Sequence, residues 1–183
     1  MGIKTGEILM KINYNSKDTK NHYYLLDAKR NSILVFNKTG GSKPESEIPF
    51  KKIRKILYGI KTTNLTKKIK TLPYNDQPYL YMSFLLKDRS IDLAFSEQSI
   101  KKWFYGIYYH LMTINQSYKI ISCTNFIITK TKLKLQSLMN NMEEHSFDGS
   151  NNYRKKFQTK NAFRDKNLTF TQSLLLYNKI NPI

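Results

Sequence analysis

A run of cations without any acid is the clearest chemical feature of the sequence. Between residues 51 and 70 the basic side chains are Lys51, Lys52, Arg54, Lys55, Lys61, Lys67, Lys68 and Lys70, and no Asp or Glu interrupts them. A polybasic surface gains about 1 kcal/mol per cation near anionic lipid. The same lysines could instead protect a solvated strand edge against pairing. The residues predicted to form a membrane-surface basic patch are Lys51, Lys52, Lys67, Lys68 and Lys70.

The whole chain is strongly basic, with 31 Lys and Arg against 13 Asp and Glu in 183 residues and a formal net charge of +18. A single cysteine, Cys123, excludes an internal disulfide framework and multi-cysteine zinc sites. No apolar run approaches the roughly 18 residues that a membrane span needs. We therefore expect one core with an appendage, without a catalytic residue, a metal site or a cofactor.

Short alternating segments dominate the first 95 residues. Turn-forming residues separate strand patterns over residues 6–13, 22–26, 32–36, 48–60, 79–86 and 91–95. The pattern predicts six or seven strands in succession. Because no helix long enough for a parallel crossover lies between them, the sheet should be antiparallel.

A single amphipathic helix is predicted near residues 97–114. Ser96 can cap it, and Glu97 in its first turn favours the helix dipole. The apolar residues recur at steps of three and four: Ile100, Trp103, Phe104, Ile107, Tyr108 and Leu111. We expect this face, with Trp103 at its centre, to close an open end of a small barrel.

The sequence after residue 115 is less regular. Residues 116–152 predict a weakly helical segment and a linker, because β-branched residues reduce helix propensity and residues 143–154 are polar. Residues 153–183 predict a short helical tail, with apolar side chains between Leu168 and Ile180.

Two stretches resemble one known family. Residues 56–65, ILYGIKTTNL, are similar to an I-x-x-G-x-x-T-x-x-L element. In residues 78–107 the coincident positions are Lys87, Asp88, Asp92, Leu93, Trp103 and Gly106. The family is the N-terminal pleckstrin-homology (PH) domain of phosphoinositide-specific phospholipase C, delta type. The resemblance implies a seven-stranded antiparallel barrel capped by one α-helix over residues 1–115, followed by a helical C-terminal extension.

The resemblance also implies a binding site for a phosphoinositide headgroup. The positions that correspond to ligand contacts are Lys11, Lys17, Lys20, His22, Lys38 and Ser90. His22 replaces an arginine, and an imidazole offers fewer donors and is largely neutral at pH 7. Asn13 and Thr39 stand where the family has further cations. The resemblance therefore predicts weaker binding than a full cationic set would give.

The tail resembles the start of an EF-hand, with loop positions over Asn161–Gln172. Calcium needs oxygen ligands, a glycine at the sixth position and a glutamate at the twelfth. Phe163, Lys166 and Gln172 fail these requirements. The tail is predicted to be either a degenerate EF-hand that binds no calcium or an amphipathic closing helix.

Several classes of function follow from these features. The first is a monomeric cytoplasmic module that binds phosphoinositides and holds its chain peripherally on an anionic membrane. The second is the front end of a phospholipase C whose catalytic barrel would follow residue 183. A PH-like protein-interaction module with a decayed lipid site stays open as an alternative. A nucleic-acid partner is not expected, because no nucleic-acid-binding motif accompanies the charge.

Overall fold

The computed structural model describes residues 5–14 and 19–145. The chain divides into two units, Met1–Phe126 and Ile127–Ile183, and the strands of the described residues all lie in the first. The strands are β1 (Thr5–Ile12), β2 (Thr19–Asp27), β3 (Ser32–Phe36), β4 (Ser46–Pro49), β5 (Lys55–Tyr58), β6 (Tyr81–Leu85) and β7 (Ser90–Ala94). The helices are α1 (Thr63–Lys67), α2 (Glu97–Thr113) and α3 (Cys123–His145).

The seven strands form one antiparallel sheet in the order β4-β3-β2-β1-β7-β6-β5. β1 pairs with β2, where Lys11 lies opposite Lys20, and on its other side with β7, where Met10 lies opposite Ala94. The chain therefore builds two meanders, β1–β4 and β5–β7, and joins them through its first and last strands. This confirms the predicted seven antiparallel strands closed by a helix, a PH-like arrangement.

Two details differ from the sequence prediction. The alternating run over residues 48–60 is two strands, because the 3₁₀ turn Phe50–Lys52 separates β4 from β5. Phe50 is fully buried in that turn and anchors the corner. Within the described residues, β4 and β5 are the edges of the sheet and do not pair, so the sheet is not closed into the predicted barrel.

The helix α2 packs as its apolar spacing predicts. The Ser96 hydroxyl caps it by accepting a hydrogen bond from the Ser99 N–H at 3.2 Å. Ile100, Trp103, Phe104, Ile107 and Leu111 are all buried, and Trp103 is only 1% exposed. Burial of each large apolar side chain contributes about 1.5–3 kcal/mol. The Trp103 indole N–H also donates to the Glu7 carboxylate at 3.1 Å, which ties α2 to the first strand.

The element at residues 56–65 has a structural role. Gly59 adopts φ +86°, a left-handed conformation that favours glycine. Thr62 caps α1 by accepting from the Leu65 N–H at 3.3 Å, and the Leu65 side chain is fully buried. Thr62 and Asn64 donate to the buried Asp92 carboxylate at 3.0 and 2.7 Å. These contacts fasten α1 to β7.

The last described element is α3, of 23 residues. Its residue Phe126, in the first unit, stacks on Phe104 with ring centroids 3.7 Å apart and lies 4.7 Å from the Tyr58 ring. No helix in residues 5–14 and 19–145 is long and apolar enough to cross a membrane. The predicted limits at residues 115 and 152 stay predictions, and the predicted tail of residues 153–183 lies outside the described residues.

Candidate functional site

A cavity of about 640 Å³ opens where β1 ends, β2 begins and the turn between β6 and β7 lies. Successive strand residues face opposite sides, so alternate residues share one face. Lys11 and Asn13 of the β1 side, and Lys20, His22 and Tyr24 of β2, line this cavity. We call it the β1–β2 cavity. The pairing of Lys11 with Lys20 places two cations opposite each other at its rim.

Other elements complete the β1–β2 cavity. The turn between β6 and β7 supplies Lys87, Asp88 and Arg89, and the backbone N–H of Leu86 donates to the Arg89 carbonyl at 2.9 Å within that turn. The remaining lining residues are Val35, Glu45, Ser46, Glu47, Ile48, Pro49, Lys52, Leu86 and Ile91. Three separate parts of the chain therefore bring cations to one opening.

The accessible cations lie around the opening. Lys20, Lys52, Lys87 and Arg89 are exposed, and Lys11 is half-buried. A concave surface concentrates the field of its charges, and hydrogen bonds between cations and phosphate are among the stronger ones in proteins. The β1–β2 cavity can therefore hold a small anion that presents phosphate to more than one side.

A different group of side chains lies deeper. The His22 side chain is 13% exposed, and its Nδ1 lies 3.4 Å from Oε2 of Glu45, longer than the roughly 3.2 Å of a well-formed hydrogen bond. The His22 ring meets the Tyr24 ring edge-on, with centroids 6.4 Å apart. Burial, and then the Glu45 charge, raise the pKa of Tyr24, so its hydroxyl stays protonated. The His22 imidazole and the Tyr24 phenol thus form the inner wall, and the exposed Glu45 carboxylate lies beside His22.

The headgroup ligands implied by the resemblance are only partly brought together. Lys11, Lys20 and His22 line the β1–β2 cavity, whereas Lys38 is exposed beyond β3 and does not line it. Ser90 and Asp92 lie on one face of β7, whereas the cavity-lining Ile91 lies on the other. The Ser90 hydroxyl donates to the Asp92 carboxylate at 3.1 Å. Lys17 lies outside the described residues.

The predicted membrane-surface basic patch is spread over two segments. Lys51 and Lys52 lie in the turn after β4, and Lys52 also lines the β1–β2 cavity. Lys67 and Lys70 are exposed in and after α1. The Lys68 ammonium donates to the Asn13 carbonyl, which joins the second segment to the end of β1.

The structure adds residues to the site that the sequence did not assign to it. Lys87 and Arg89 flank Asp88 in a tight turn between two paired strands, and such a turn always lies at an end of the sheet. The location of this turn at an end of the sheet could therefore have been predicted from the sequence. Glu45 gave no comparable signal, because its place against His22 depends on the path of the chain between β3 and β4.

No metal site emerges from the described part of the chain. Groups of three or more His, Cys, Asp or Glu side chains with the geometry to hold an ion are absent from residues 5–14 and 19–145.

Comparisons with known proteins give weak structural likenesses. No protein-family model matches the chain, and no curated protein matches it. The solution structure of the PH domain of human TBC1 domain family member 2 matches with a TM-score of 0.45 and 13% identity, over 63% of this chain and 87% of that one. The crystal structure of sifa and skip matches with a TM-score of 0.43 and 15% identity, over 59% and 97%. Scores at this level carry no functional conclusion, and the fold assignment rests on the strand order and the closing helix.

Proposed function

We propose that this chain is a PH-type module that binds phosphoinositide headgroups in the β1–β2 cavity and holds its chain at the cytoplasmic face of a membrane. The observation that carries the proposal is the convergence of Lys11, Lys20, Lys87 and Arg89 on one opening. These cations come from β1, β2 and the turn between β6 and β7, so the fold brings them together.

The size and chemistry of the cavity support a small polar ligand. Small-molecule sites usually enclose about 300–1,000 Å³, a range that includes this cavity. An inositol ring carries its phosphates at separate positions, so its recognition requires donors on more than one side. Lysine and arginine supply such donors from β1, β2 and the turn between β6 and β7.

An amphipathic surface beside the cavity supports a membrane as the source of the ligand. Ile69 is 44% exposed and lies between Lys68 and the exposed Lys70. Tyr14 is 67% exposed and directly follows Asn13, whose carbonyl accepts a hydrogen bond from Lys68. Aliphatic and tyrosine side chains suit the boundary between lipid tails and headgroups, and lysines suit the anionic surface.

Co-sedimentation with vesicles tests the proposal. Phosphatidylcholine vesicles containing phosphatidylinositol 4-phosphate are compared with phosphatidylcholine alone, for the wild type and for Lys11→Ala combined with Lys20→Ala. Because each lost charge-assisted hydrogen bond costs about 1.5–3 kcal/mol, the loss of both cations should weaken binding at least about a hundredfold. Lys101→Ala, which removes an exposed cation from α2 outside the cavity, is the matched control.

Two results separate the cavity from other surfaces. Lys38→Ala should have little effect, because Lys38 does not line the β1–β2 cavity. If the Lys11 and Lys20 variant binds these vesicles as well as the Lys101 control does, the cavity is not the site. The protein-interaction module with a decayed lipid site then replaces this proposal.

The basic patch should contribute a different kind of affinity. Neutralising Lys67 and Lys70 should weaken binding to every anionic vesicle, phosphatidylserine included, and should reduce the salt dependence. The headgroup preference should not change, because neither residue lines the β1–β2 cavity.

Descent from a phospholipase C of delta type stays a prediction of the sequence resemblance. It implies that a catalytic barrel follows residue 183 and that the parent enzyme hydrolyses a phosphoinositide. Sequencing of the full-length transcript tests this directly. Calcium titration tests the degenerate EF-hand, for which no binding heat is expected.

A further inference from the structure

The carboxylate of Glu45 is an unexpected group in a cavity that should bind an anion. Its Oε2 lies 3.4 Å from Nδ1 of His22, and the charge of Glu45 contributes to raising the pKa of Tyr24. The Glu45 side chain is 48% exposed, so a ligand can reach it. No lysine or arginine lies within 4 Å of this carboxylate among the described residues. Glu45 therefore faces the β1–β2 cavity as an available acceptor.

The cavity lining carries both signs of charge. Lys11 and Lys20 supply cations from β1 and β2, and Lys87 and Arg89 supply them from the turn between β6 and β7. Glu45 lies against His22 where the chain enters β4, Asp88 lies between Lys87 and Arg89, and the Glu47 carboxylate accepts a hydrogen bond from Ser32. A phosphate beside Glu45 would bring two negative charges together, and like charges at a binding interface cost several kcal/mol. A hydroxyl at the same place would instead donate a hydrogen bond to the carboxylate.

We propose that Glu45 determines which headgroup the β1–β2 cavity accepts. The cavity takes an inositol ring with one phosphomonoester beside Lys11 and Lys20 and with a free hydroxyl facing Glu45. It rejects rings in which a further phosphate must lie against Glu45. This inference rests on the proposed function, since it assigns the ligand class of the same cavity.

A simpler role for Glu45 makes a different prediction. If Glu45 only lowers the overall positive potential, its neutralisation should strengthen the binding of every headgroup in proportion to ligand charge, and the wild type should already prefer the most phosphorylated one. If Glu45 instead selects headgroups by the position of their phosphates, additional phosphates should not raise the affinity of the wild type. The preference of the wild type therefore separates the two roles before any variant is made.

Calorimetry with soluble headgroups provides the test. The probes are the deacylated headgroups of phosphatidylinositol 4-phosphate and of phosphatidylinositol 3,4,5-trisphosphate, and the proteins are the wild type, Glu45→Gln and Glu97→Gln. Glutamine keeps the size of the side chain and removes its charge. Glu97 lies in the first turn of α2, and its variant changes the net charge equally without altering the cavity. Vesicles carrying the same two headgroups then show whether the lipid surface adds affinity beyond the free headgroup.

The wild type should bind the monophosphate headgroup at least as tightly as the trisphosphate. Glu45→Gln should strengthen trisphosphate binding about tenfold or more and monophosphate binding about twofold or less, because only the trisphosphate places charge against residue 45. A wild type that prefers the trisphosphate, or equal gains for both headgroups, overturns the role of Glu45 and leaves the proposed function intact. Absence of binding to either headgroup, in solution and on vesicles, refutes both.

Discussion

Asp92→Ala should destabilise the protein severely, although it removes only one small side chain. Asp92 is 1% exposed and accepts hydrogen bonds from Thr62 at 3.0 Å, Asn64 at 2.7 Å and Ser90 at 3.1 Å. Thr62 and Asn64 are 6% and 5% exposed, so water cannot readily replace the lost acceptor. Ser90 is half-buried and can turn to solvent.

The magnitude follows from the two buried donors. Each buried donor that is left unsatisfied costs about 1–3 kcal/mol, which gives about 2–6 kcal/mol for Thr62 and Asn64 together. A loss of this size is a large part of the 5–15 kcal/mol that is typical of a domain. Urea denaturation should show a lower midpoint with an unchanged slope.

A control and a double-mutant cycle make this prediction strict. Asp88→Ala changes the same residue type in the exposed turn that joins β6 to β7 and should stay within about 0.5 kcal/mol of the wild type. Thr62→Val should cost much less in the Asp92→Ala background than in the wild type, because its acceptor is already gone. A loss below about 1 kcal/mol for Asp92→Ala, or equal costs of Thr62→Val in both backgrounds, would show that the network does not stabilise the fold.

Three further perturbations follow from the same structure. Trp103→Ala should cost about 3–5 kcal/mol in urea denaturation, and Trp103→Phe less, because the phenyl ring keeps most of the buried apolar surface but loses the bond to Glu7. Burial lowers the pKa of His110 below its ordinary value near 6.5, so the unfolded chain binds the proton more readily than the folded one. Stability should therefore fall as the pH drops below about 6.5. His110→Gln should make stability less dependent on pH in this range, and an unchanged dependence would contradict the prediction. His22→Arg should strengthen binding to phosphatidylinositol 4-phosphate vesicles at pH 7.5, because a guanidinium adds a permanent charge and further donors to the lining of the β1–β2 cavity. Unchanged binding by the arginine variant would show that residue 22 does not contact the headgroup.

The strands and the closing helix were predictable because burial imposes a period on the sequence. Apolar residues alternate in β1 and β2 and recur at steps of three and four from Ile100 to Leu111, because one face of each element is buried in the core. The break between β4 and β5 was not predictable, since Phe50 has the same apolar character whether it lies in a strand or in a turn.

Helices outside the main pattern were harder to predict. The helix α1 has five residues, which is too short for a hydrophobic period, and only the cap formed by Thr62 marks its start. The helix α3 forms over 23 residues despite several β-branched side chains, because tertiary contacts such as the stacking of Phe126 on Phe104 add to a weak intrinsic propensity.

The candidate site was predictable only along single strands. Lys11, Lys20 and His22 share a face because their spacing on paired strands requires it. Which other segments meet them depends on how the two meanders join, and local sequence does not encode that arrangement. Lys87, Arg89 and Glu45 therefore enter the site through the structure.

The junction of β1 with β7 has a consequence for the order in which the protein is synthesised. Met10 faces Ala94 across this junction, and Glu7 receives hydrogen bonds from Ser99 and Trp103. A ribosome releases the N-terminal strands first, so β1–β4 leave the exit tunnel while β1 still has an open edge. An open strand edge invites pairing with neighbouring nascent chains. The first meander therefore presents an unpaired β1 edge until β7 and α2 emerge, and a chain truncated before residue 90 should aggregate more readily than the full chain.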